Sequence, residues 1–295
     1  MKHIRDDDKN NFIEKNNKKG KKMSVEKNGI ITLSNSVAEC KISLFGGNIV
    51  SYRPKSEEQD IFWLGDLNKF DNVQAIRGGI PVCWPRFAEE KLNNNFPRHG
   101  FARLSNWSVG SILVDETKME AELFLIPDAK YGVDVSAKLF IKVTDKLECK
   151  LETTNNGDNE FMFSEALHAY FNVFSRDDTI IKGLSGCRYK SSLDGKVYDL
   201  EKDLQIKSEF DSAFINHTGK VEIEDKGLNR IITLEKTGSN TTVVWNPDRD
   251  YAEMSPEQYK NFICVEPANN GDCFVTLPSK EKHTISMTVS VRKIK

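Results

Sequence analysis

The sequence lacks the features of membrane, secreted and nucleic-acid-binding proteins. No run of about 18 apolar residues is present, so no membrane-spanning helix is expected. The first 22 residues contain no apolar stretch of the kind that a secretory signal needs. Basic and acidic residues nearly balance, 42 against 44, so the chain has no general field that would attract nucleic acid or an anionic membrane. Any affinity for an anion must therefore come from a local cluster.

The six cysteines lack the spacing of a metal or redox motif. None belongs to a C-x-x-C pair, and the five histidines are scattered along the chain, so no metal site is indicated. Cys40 and Cys149 fall on the apolar side of alternating segments, where free cysteine packs as a small core residue. Unpaired cysteines fit a reducing compartment. We therefore expect a cytoplasmic protein with neither metal nor cofactor.

Helical signals are scarce, and a two-residue hydrophobic period dominates instead. Apolar and polar residues alternate most clearly in segments 38–44, 133–143 and 285–291. Such alternation is typical of strands with one buried face. Turn sequences such as Asn-Asn-Gly at 155–157 separate the segments. We predict an all-β sandwich with very little helix, formed by residues 23–295 as a single domain.

Two shorter segments have local signals of their own. Residues 1–22 are rich in Lys, Asn and Asp and have almost nothing to bury, so a disordered tail is expected there. A basic targeting tail is the alternative.

The Ser-Pro-Glu-Gln sequence at 255–258 has a serine N-cap, a proline at the first helical position and a glutamine at the third. It predicts one or two helical turns ahead of a strand at 262–265.

Three segments break the two-residue period, and the first is rich in arginine. It contains Arg-Gly-Gly-Ile-Pro at 77–81 and Arg-His-Gly-Phe-Ala-Arg at 98–103, with a further arginine at Arg86. Glycine lets the backbone approach a ligand closely, and the planar guanidinium suits bidentate contact with phosphate or carboxylate. The pattern indicates either an anion site or a long ordered loop with arginines on its surface.

The second and third segments each contain one candidate acid–base residue. His168 lies in the largely aromatic segment 161–173, where the alternative to a catalytic histidine is a satisfied core residue. Glu165 should point to the opposite face of an extended strand, which makes it a poor partner for His168. Glu266 lies between the apolar residues 262–265 and a proline, so we expect it at a strand end. Apolar neighbours there would raise its pKa, as a general base requires; the alternative is an exposed edge carboxylate.

Together the three segments resemble the aldose 1-epimerase superfamily, and most specifically its hexose-6-phosphate mutarotase branch. The similarity covers about residues 30–291. Arg-Gly-Gly-Ile-Pro at 77–81 and His-Gly-x-Ala-Arg at 99–103 are specific to that branch. Leu-His-x-Tyr-Phe at 167–171 and Val-Glu-Pro at 265–267 recur more widely in the superfamily. The resemblance implies a galactose mutarotase-like β-supersandwich with a cleft on one sheet.

The resemblance also implies an isomerase that interconverts the α and β anomers of a hexose 6-phosphate, glucose 6-phosphate above all. Glu266 matches the general base and His168 the general acid of this family. Arg77 and Arg103 match the positions that hold the phosphate. Asp211 matches an acidic residue that binds sugar hydroxyls. Since the mechanism needs only ring opening and closure, it implies no metal and no cofactor.

Two arginines depart from the family pattern. Arg98 stands where relatives often have glutamine, and Arg86 stands where tryptophan or valine is common. Both add positive charge near the expected phosphate, so Arg98 is placed with the substrate-binding residues. In the resting protein we expect an ionised Glu266 and a protonated His168, because each charge would stabilise the other.

Two alternative functions remain open. A mutarotase for free aldohexoses has the same acid–base pair but no need of the arginines. A non-catalytic sugar-phosphate-binding protein needs the cleft but not the pair. In each case we expect a monomer whose partner is a small molecule rather than nucleic acid or a membrane.

Overall fold

The computed structural model describes residues 21–88 and 96–295, which form two large antiparallel sheets and two small ones. No α-helix occurs in these ranges, and the prediction of an all-β fold with very little helix is confirmed. Short 3-10 segments occur at Ala102–Leu104, Ala129–Tyr131, Arg176–Asp178, Gln258–Asn261 and Gly271–Cys273. No helix in the described part of the chain is long and apolar enough to cross a membrane.

The first large sheet, which we name the cleft sheet, has eight strands, numbered here along the whole chain. They are β5 (Val82–Cys83), β11 (Glu165–Leu167), β12 (Tyr170–Asn172), β14 (Arg188–Ser191), β15 (Val197–Asp199), β16 (Phe210–Ile215), β19 (Thr241–Asn246) and β20 (Phe262–Asn269). Their order is β15-β14-β16-β19-β20-β11-β5, and β12 also pairs with β20. The longest strand, β20, therefore lies near the centre of the sheet.

The second large sheet, which we name the back sheet, also has eight strands. They are β6 (Ser108–Val114), β7 (Met119–Leu125), β8 (Val135–Val143), β9 (Leu147–Asn155), β13 (Ile180–Lys182), β17 (Val221–Asp225), β18 (Arg230–Thr237) and β22 (Lys282–Lys293). Their order is β13-β17-β18-β22-β9-β8-β7-β6. The alternating segments 133–143 and 285–291 are thus strands of this sheet, as predicted.

The remaining strands form two small sheets. The four-stranded one contains β1 (Lys22–Val25), β2 (Ile30–Ser34), β3 (Ala38–Ser43) and β4 (Asn48–Pro54), paired in chain order. The two-stranded one contains β10 (Phe161–Phe163) and β21 (Val275–Leu277). Strand β1 begins at the last residue assigned to the tail. Residues 1–20 lie outside the described ranges, so the disordered tail stays a prediction.

The hydrophobic core lies between the two large sheets, and alternation decides which residues enter it. On β20, Ile263 and Val265 are fully buried in the same cluster as Leu139 of β8 and Met287 of β22. Burial of each such side chain stabilises the fold by about 1.5–3 kcal/mol. Because successive strand residues point to opposite faces, the even-numbered residues of β20 face away from this core.

The helical turn predicted ahead of the strand at 262–265 forms as a 3-10 segment at Gln258–Asn261, but the predicted cap and start at 255–257 are wrong. Glu257 has a left-handed backbone, with φ of +68°, and the 3-10 segment begins only at Gln258. Ser255 does not cap a helix, because its N–H and hydroxyl both donate to the carboxylate of Asp66, at 2.9 and 2.6 Å. A tertiary hydrogen bond has replaced the local cap. The strand expected at 262–265 is the beginning of β20.

Candidate active site

Strand register brings polar and aromatic residues together on the outer face of the cleft sheet. Trp245 on β19 lies opposite Asp211 on β16 and Cys264 on β20, while Val243 lies opposite Glu266. These positions alternate with the core-facing ones, so their side chains share the outer face. The structure therefore places Asp211 and Glu266 on one surface although they are far apart in sequence.

Glu266 lies inside β20 and not at its end, so that expectation is wrong. The strand continues through Pro267 to Asn269 and keeps its pairing with β19 beyond the proline. The side chain of Glu266 is 1% exposed, and neither carboxyl oxygen has a hydrogen-bond partner within residues 21–88 and 96–295. Buried polar atoms without partners are costly and uncommon in folded proteins. The two oxygens therefore keep unused hydrogen-bonding capacity beside His168.

Aromatic rings hold His168 beside that carboxyl. The imidazole stacks on Tyr170, with centroids 4.8 Å apart and planes inclined by 13°. His99 and Trp245 contact it edge-on, at centroid distances of 5.7 and 5.8 Å. His168 Nδ1 lies 3.4 Å from Glu266 Oε1 and, among the described residues, has no hydrogen-bond partner. His168 is therefore oriented by packing, with its Nδ1 facing the carboxyl.

Burial is the largest influence on the pKa of both His168 and Glu266. Burial lowers the pKa of His168 to about 3, and the charges of Arg103 and Arg77 contribute to this shift. Burial also raises the pKa of Glu266 well above its usual value, with a smaller contribution from Asp211. Both shifts oppose the expected ion pair, because burial disfavours the charged form of each group. A neutral pair and an ion pair hold the same number of protons, and they differ by the transfer of one proton between Glu266 Oε1 and His168 Nδ1, which lie 3.4 Å apart.

Arg77 is held at the edge of the cleft by two partners. Its Nε donates to Glu253 Oε2 at 2.8 Å, and its guanidinium lies 4.0 Å from the centre of the Tyr251 ring. The following turn depends on Gly79, which has φ of +71°, and a Cβ there would lie 2.3 Å from the carbonyl oxygen of Ile49. The turn therefore needs glycine, and it presents Arg77 in one fixed orientation.

The other arginines of the first segment differ in their surroundings. Arg103 donates from Nη2 to the carbonyl of Arg98 at 3.0 Å, and its buried Nε has no partner within the described ranges. Arg98 is exposed, and its charge, like that of Arg103, lowers the pKa of His168. Arg86 instead donates to a backbone carbonyl of its own loop. Arg77, Arg98 and Arg103 thus act together on the imidazole, whereas Arg86 joins two parts of the loop.

Asp211 lies two strands from Glu266 and completes the charged residues of the cleft. Burial raises its pKa, while Ser192 and the charge of Arg98 oppose that shift. Asp211 in turn contributes to the raised pKa of Glu266. All the site residues proposed from the sequence therefore lie close enough to influence the acid–base pair or one another.

Four further residues of the cleft had no role in the sequence analysis: His99, Tyr170, Trp245 and Cys264. Cys264 precedes Glu266 by two residues, so the strand period alone places it on the same face. His99 and Tyr170 each stand within a family motif. The contact of Trp245 with His168 depends on pairing between β19 and β20, which no local signal reveals.

Glu165 points away from the cleft, as predicted. Its Oε1 lies 2.9 Å from His283 Nε2 and accepts a hydrogen bond from Asn269 Nδ2 at 3.0 Å. This second carboxylate–imidazole pair joins β11 and β20 of the cleft sheet to β22 of the back sheet. It lies on the opposite face of the sheet from His168 and Glu266.

Comparisons with known proteins agree with this architecture. Residues 29–290 match the family model described as aldose 1-epimerase. A Haemophilus influenzae protein provisionally named a glucose-6-phosphate 1-epimerase is 30% identical over 216 residues, which cover 73% of this chain and 75% of that protein. An Escherichia coli protein with the same provisional name is 28% identical over 271 residues, 90% of each chain.

Solved structures give the same result. The crystal structure of a Salmonella typhimurium protein, provisionally named a mutarotase, has a TM-score of 0.83 with this chain at 26% identity, over 90% of both. A galactose mutarotase-like protein from Clostridium acetobutylicum has a TM-score of 0.71 at 20% identity, over 93% of this chain and 98% of its own, and shows the shared fold. The galactose mutarotase-like supersandwich is thus confirmed, and the chain belongs to the aldose 1-epimerase family of isomerases.

Proposed function

We propose that the protein is a hexose-6-phosphate mutarotase, with Glu266 as general base and His168 as general acid. The observation that carries this proposal is the buried pair itself. Nδ1 and Oε1 lie 3.4 Å apart, and both are without hydrogen-bond partners in the described ranges. A purely structural pair would be satisfied by the protein. This one keeps unused hydrogen-bonding capacity, and it lies on the face that also carries Asp211.

The chemistry needs one base and one acid on the same sugar ring. Glu266 removes the proton of the C1 hydroxyl while His168 gives a proton to the ring oxygen, and the C1–O5 bond breaks. The aldehyde carbon then rotates, and the ring closes with the two groups in exchanged roles. Each well-placed acid or base contributes roughly 10²–10⁴-fold to the rate. The reaction conserves protons and electrons and calls for no further reagent.

Binding of the substrate phosphate converts Glu266 and His168 into their charged forms. In the free protein, Arg77, Arg98 and Arg103 lower the pKa of His168. A bound phosphate dianion compensates this positive charge, so the pKa of His168 rises and the shared proton moves from Glu266 to the imidazole. Substrate binding thus produces the carboxylate base and the imidazolium acid together.

The arginines also position the sugar. Arg77 and Arg103 hold the phosphate, and Arg98 adds a third charge at the exposed rim. Binding energy from this remote group fixes the ring against Glu266 and His168 and is used to raise the rate. Asp211 accepts hydrogen bonds from sugar hydroxyls. We propose a monomer, because one chain supplies every one of these groups.

Two-dimensional exchange NMR on equilibrated glucose 6-phosphate and on glucose tests the proposal. We expect α–β cross-peaks that grow with protein concentration, and faster exchange of the phosphosugar at equal concentration. Equal rates on both sugars would favour the free-aldohexose alternative. Binding of glucose 6-phosphate without exchange would favour a non-catalytic binding protein.

A further inference from the structure

A third potential ligand group lies beside the acid–base pair. Cys264 is fully buried on β20, on the same face as Glu266. One ligand atom each of His168, Cys264 and Glu266 lies within 4.8 Å of the others. The scatter of histidines along the sequence concealed this cluster, because two of its three members are not histidines.

The distances suit a tetrahedral cation. Imidazole nitrogen and carboxylate oxygen bind zinc at about 2.0–2.2 Å, so two such ligands at a tetrahedral angle lie about 3.3–3.5 Å apart. His168 Nδ1 and Glu266 Oε1 are already 3.4 Å apart. Cys264 Sγ lies within 4.8 Å of a ligand atom of each of the other two residues, and zinc–sulfur bonds are about 2.3 Å long, so a small movement of the thiolate would complete three ligands.

The bonding and charge requirements of a cation are also met. His168 Nδ1 and both oxygens of Glu266 are buried, and within the described residues they have no hydrogen-bond partner. A thiolate and a carboxylate together balance the charge of a divalent cation, so the neutral complex is not repelled by Arg77 and Arg103. One sulfur, one nitrogen and one oxygen ligand favour zinc over magnesium or calcium.

We propose that His168, Cys264 and Glu266 form an inhibitory site for a thiophilic divalent cation of the zinc class. The cation binds Nδ1, Sγ and a carboxyl oxygen and releases the protons of the thiol and the carboxyl to the buffer. It then occupies the lone pairs that ring opening uses, so the sugar cannot react. The inhibition rests on the proposed function, whereas the binding does not.

Cobalt titration of the chelator-treated full chain tests the binding. We expect a thiolate-to-cobalt charge-transfer band in the near ultraviolet that zinc abolishes. Residues 1–20 contain a histidine and several aspartates but no cysteine, so the tail cannot give this band. Cys264→Ser should lose the band. The matched control Cys83→Ser, which replaces another buried cysteine of the cleft sheet, should keep it.

Zinc-edge X-ray absorption on the wild-type protein identifies the ligand atoms of bound zinc and tests the same site without any variant. One sulfur ligand with nitrogen and oxygen ligands supports the site, and a shell without sulfur overturns it. A cobalt band that survives in Cys264→Ser also overturns it, because the thiolate is then another cysteine.

Zinc titration of the NMR exchange rate tests the inhibition separately. Each protein is compared with its own zinc-free rate, and Cys264→Ser should need at least about tenfold more zinc for half-inhibition. Equal sensitivity of Cys264→Ser and wild type contradicts the inference. A protein that shows the cobalt band but no exchange refutes the proposed function and keeps the cation site. Anomer exchange that zinc does not affect, together with no cobalt band, refutes the cation site and keeps the proposed function.

Discussion

Glu266→Gln keeps the shape of a side chain that is 1% exposed but removes its capacity to take up a proton. The carboxyl makes no hydrogen bond to the described protein, so the substitution breaks none. The new amide can donate to Nδ1 of His168, which faces it across 3.4 Å. We therefore expect the melting temperature to stay equal or to rise, while catalysis is lost.

The loss should equal the contribution of one general base. That contribution is roughly 10²–10⁴-fold in rate, or about 2.7–5.4 kcal/mol of activation free energy at 1.36 kcal/mol per tenfold. Exchange NMR on glucose 6-phosphate measures it directly, at equal concentrations of folded protein. Binding of the phosphosugar, measured by calorimetry, should be largely retained, because the arginines are intact.

Glu165→Gln is the matched control. Glu165 is a buried carboxylate on the same sheet, but it pairs with His283 on the opposite face. Its substitution should lower the free energy of unfolding by about 1.5–3 kcal/mol, the range for hydrogen bonds to charged groups, and leave exchange per folded molecule unchanged. Wild-type exchange in Glu266→Gln, or an equally large loss in Glu165→Gln, would refute the assignment of the base.

Three further predictions address the arginines, the second pair and the loop. Arg77→Ala and Arg103→Ala should each raise the KM for hexose 6-phosphate by about tenfold to a hundredfold, because a charged hydrogen bond contributes about 1.5–3 kcal/mol. Steady-state kinetics on free glucose should show a much smaller change, and equal changes on both sugars would argue against a phosphate role. Burial opposes the charge of His283, but the hydrogen bond and the charge of Glu165 outweigh it and raise the pKa. This stabilisation is complete below the unfolded pKa of about 6.5 and is lost as the pH rises through the folded pKa. Urea unfolding of His283→Asn should therefore show the largest deficit at acidic pH, and a deficit independent of pH would contradict this. Gly100→Ala should lower the free energy of unfolding by more than about 1 kcal/mol, because φ is +72° and a Cβ would lie 2.1 Å from a backbone carbonyl oxygen. An unchanged melting curve would show that the loop relaxes without cost.

The fold class and the family could be predicted from the amino-acid sequence alone. Alternation in segments such as 133–143 is a local property of the chain, because successive strand residues face opposite sides whatever they pack against. The order of the motifs around Arg77, His168 and Glu266 was enough to identify the family. The same local rule also predicted that Glu165 would face away from His168.

The strand register, the burial of the acid–base pair and the local exceptions depend on tertiary contacts. Pairing of β16, β19 and β20 places Asp211, Trp245 and Cys264 in one row, and the sequence contains no record of which strands are neighbours. Burial of Glu266 and His168 opposes the charges expected of them from the sequence, because desolvation depends on everything packed around a group. The helix cap expected at Ser255 is replaced by a hydrogen bond to Asp66, which is distant in sequence. The local preference for a cap is weak, and tertiary contacts can outweigh it.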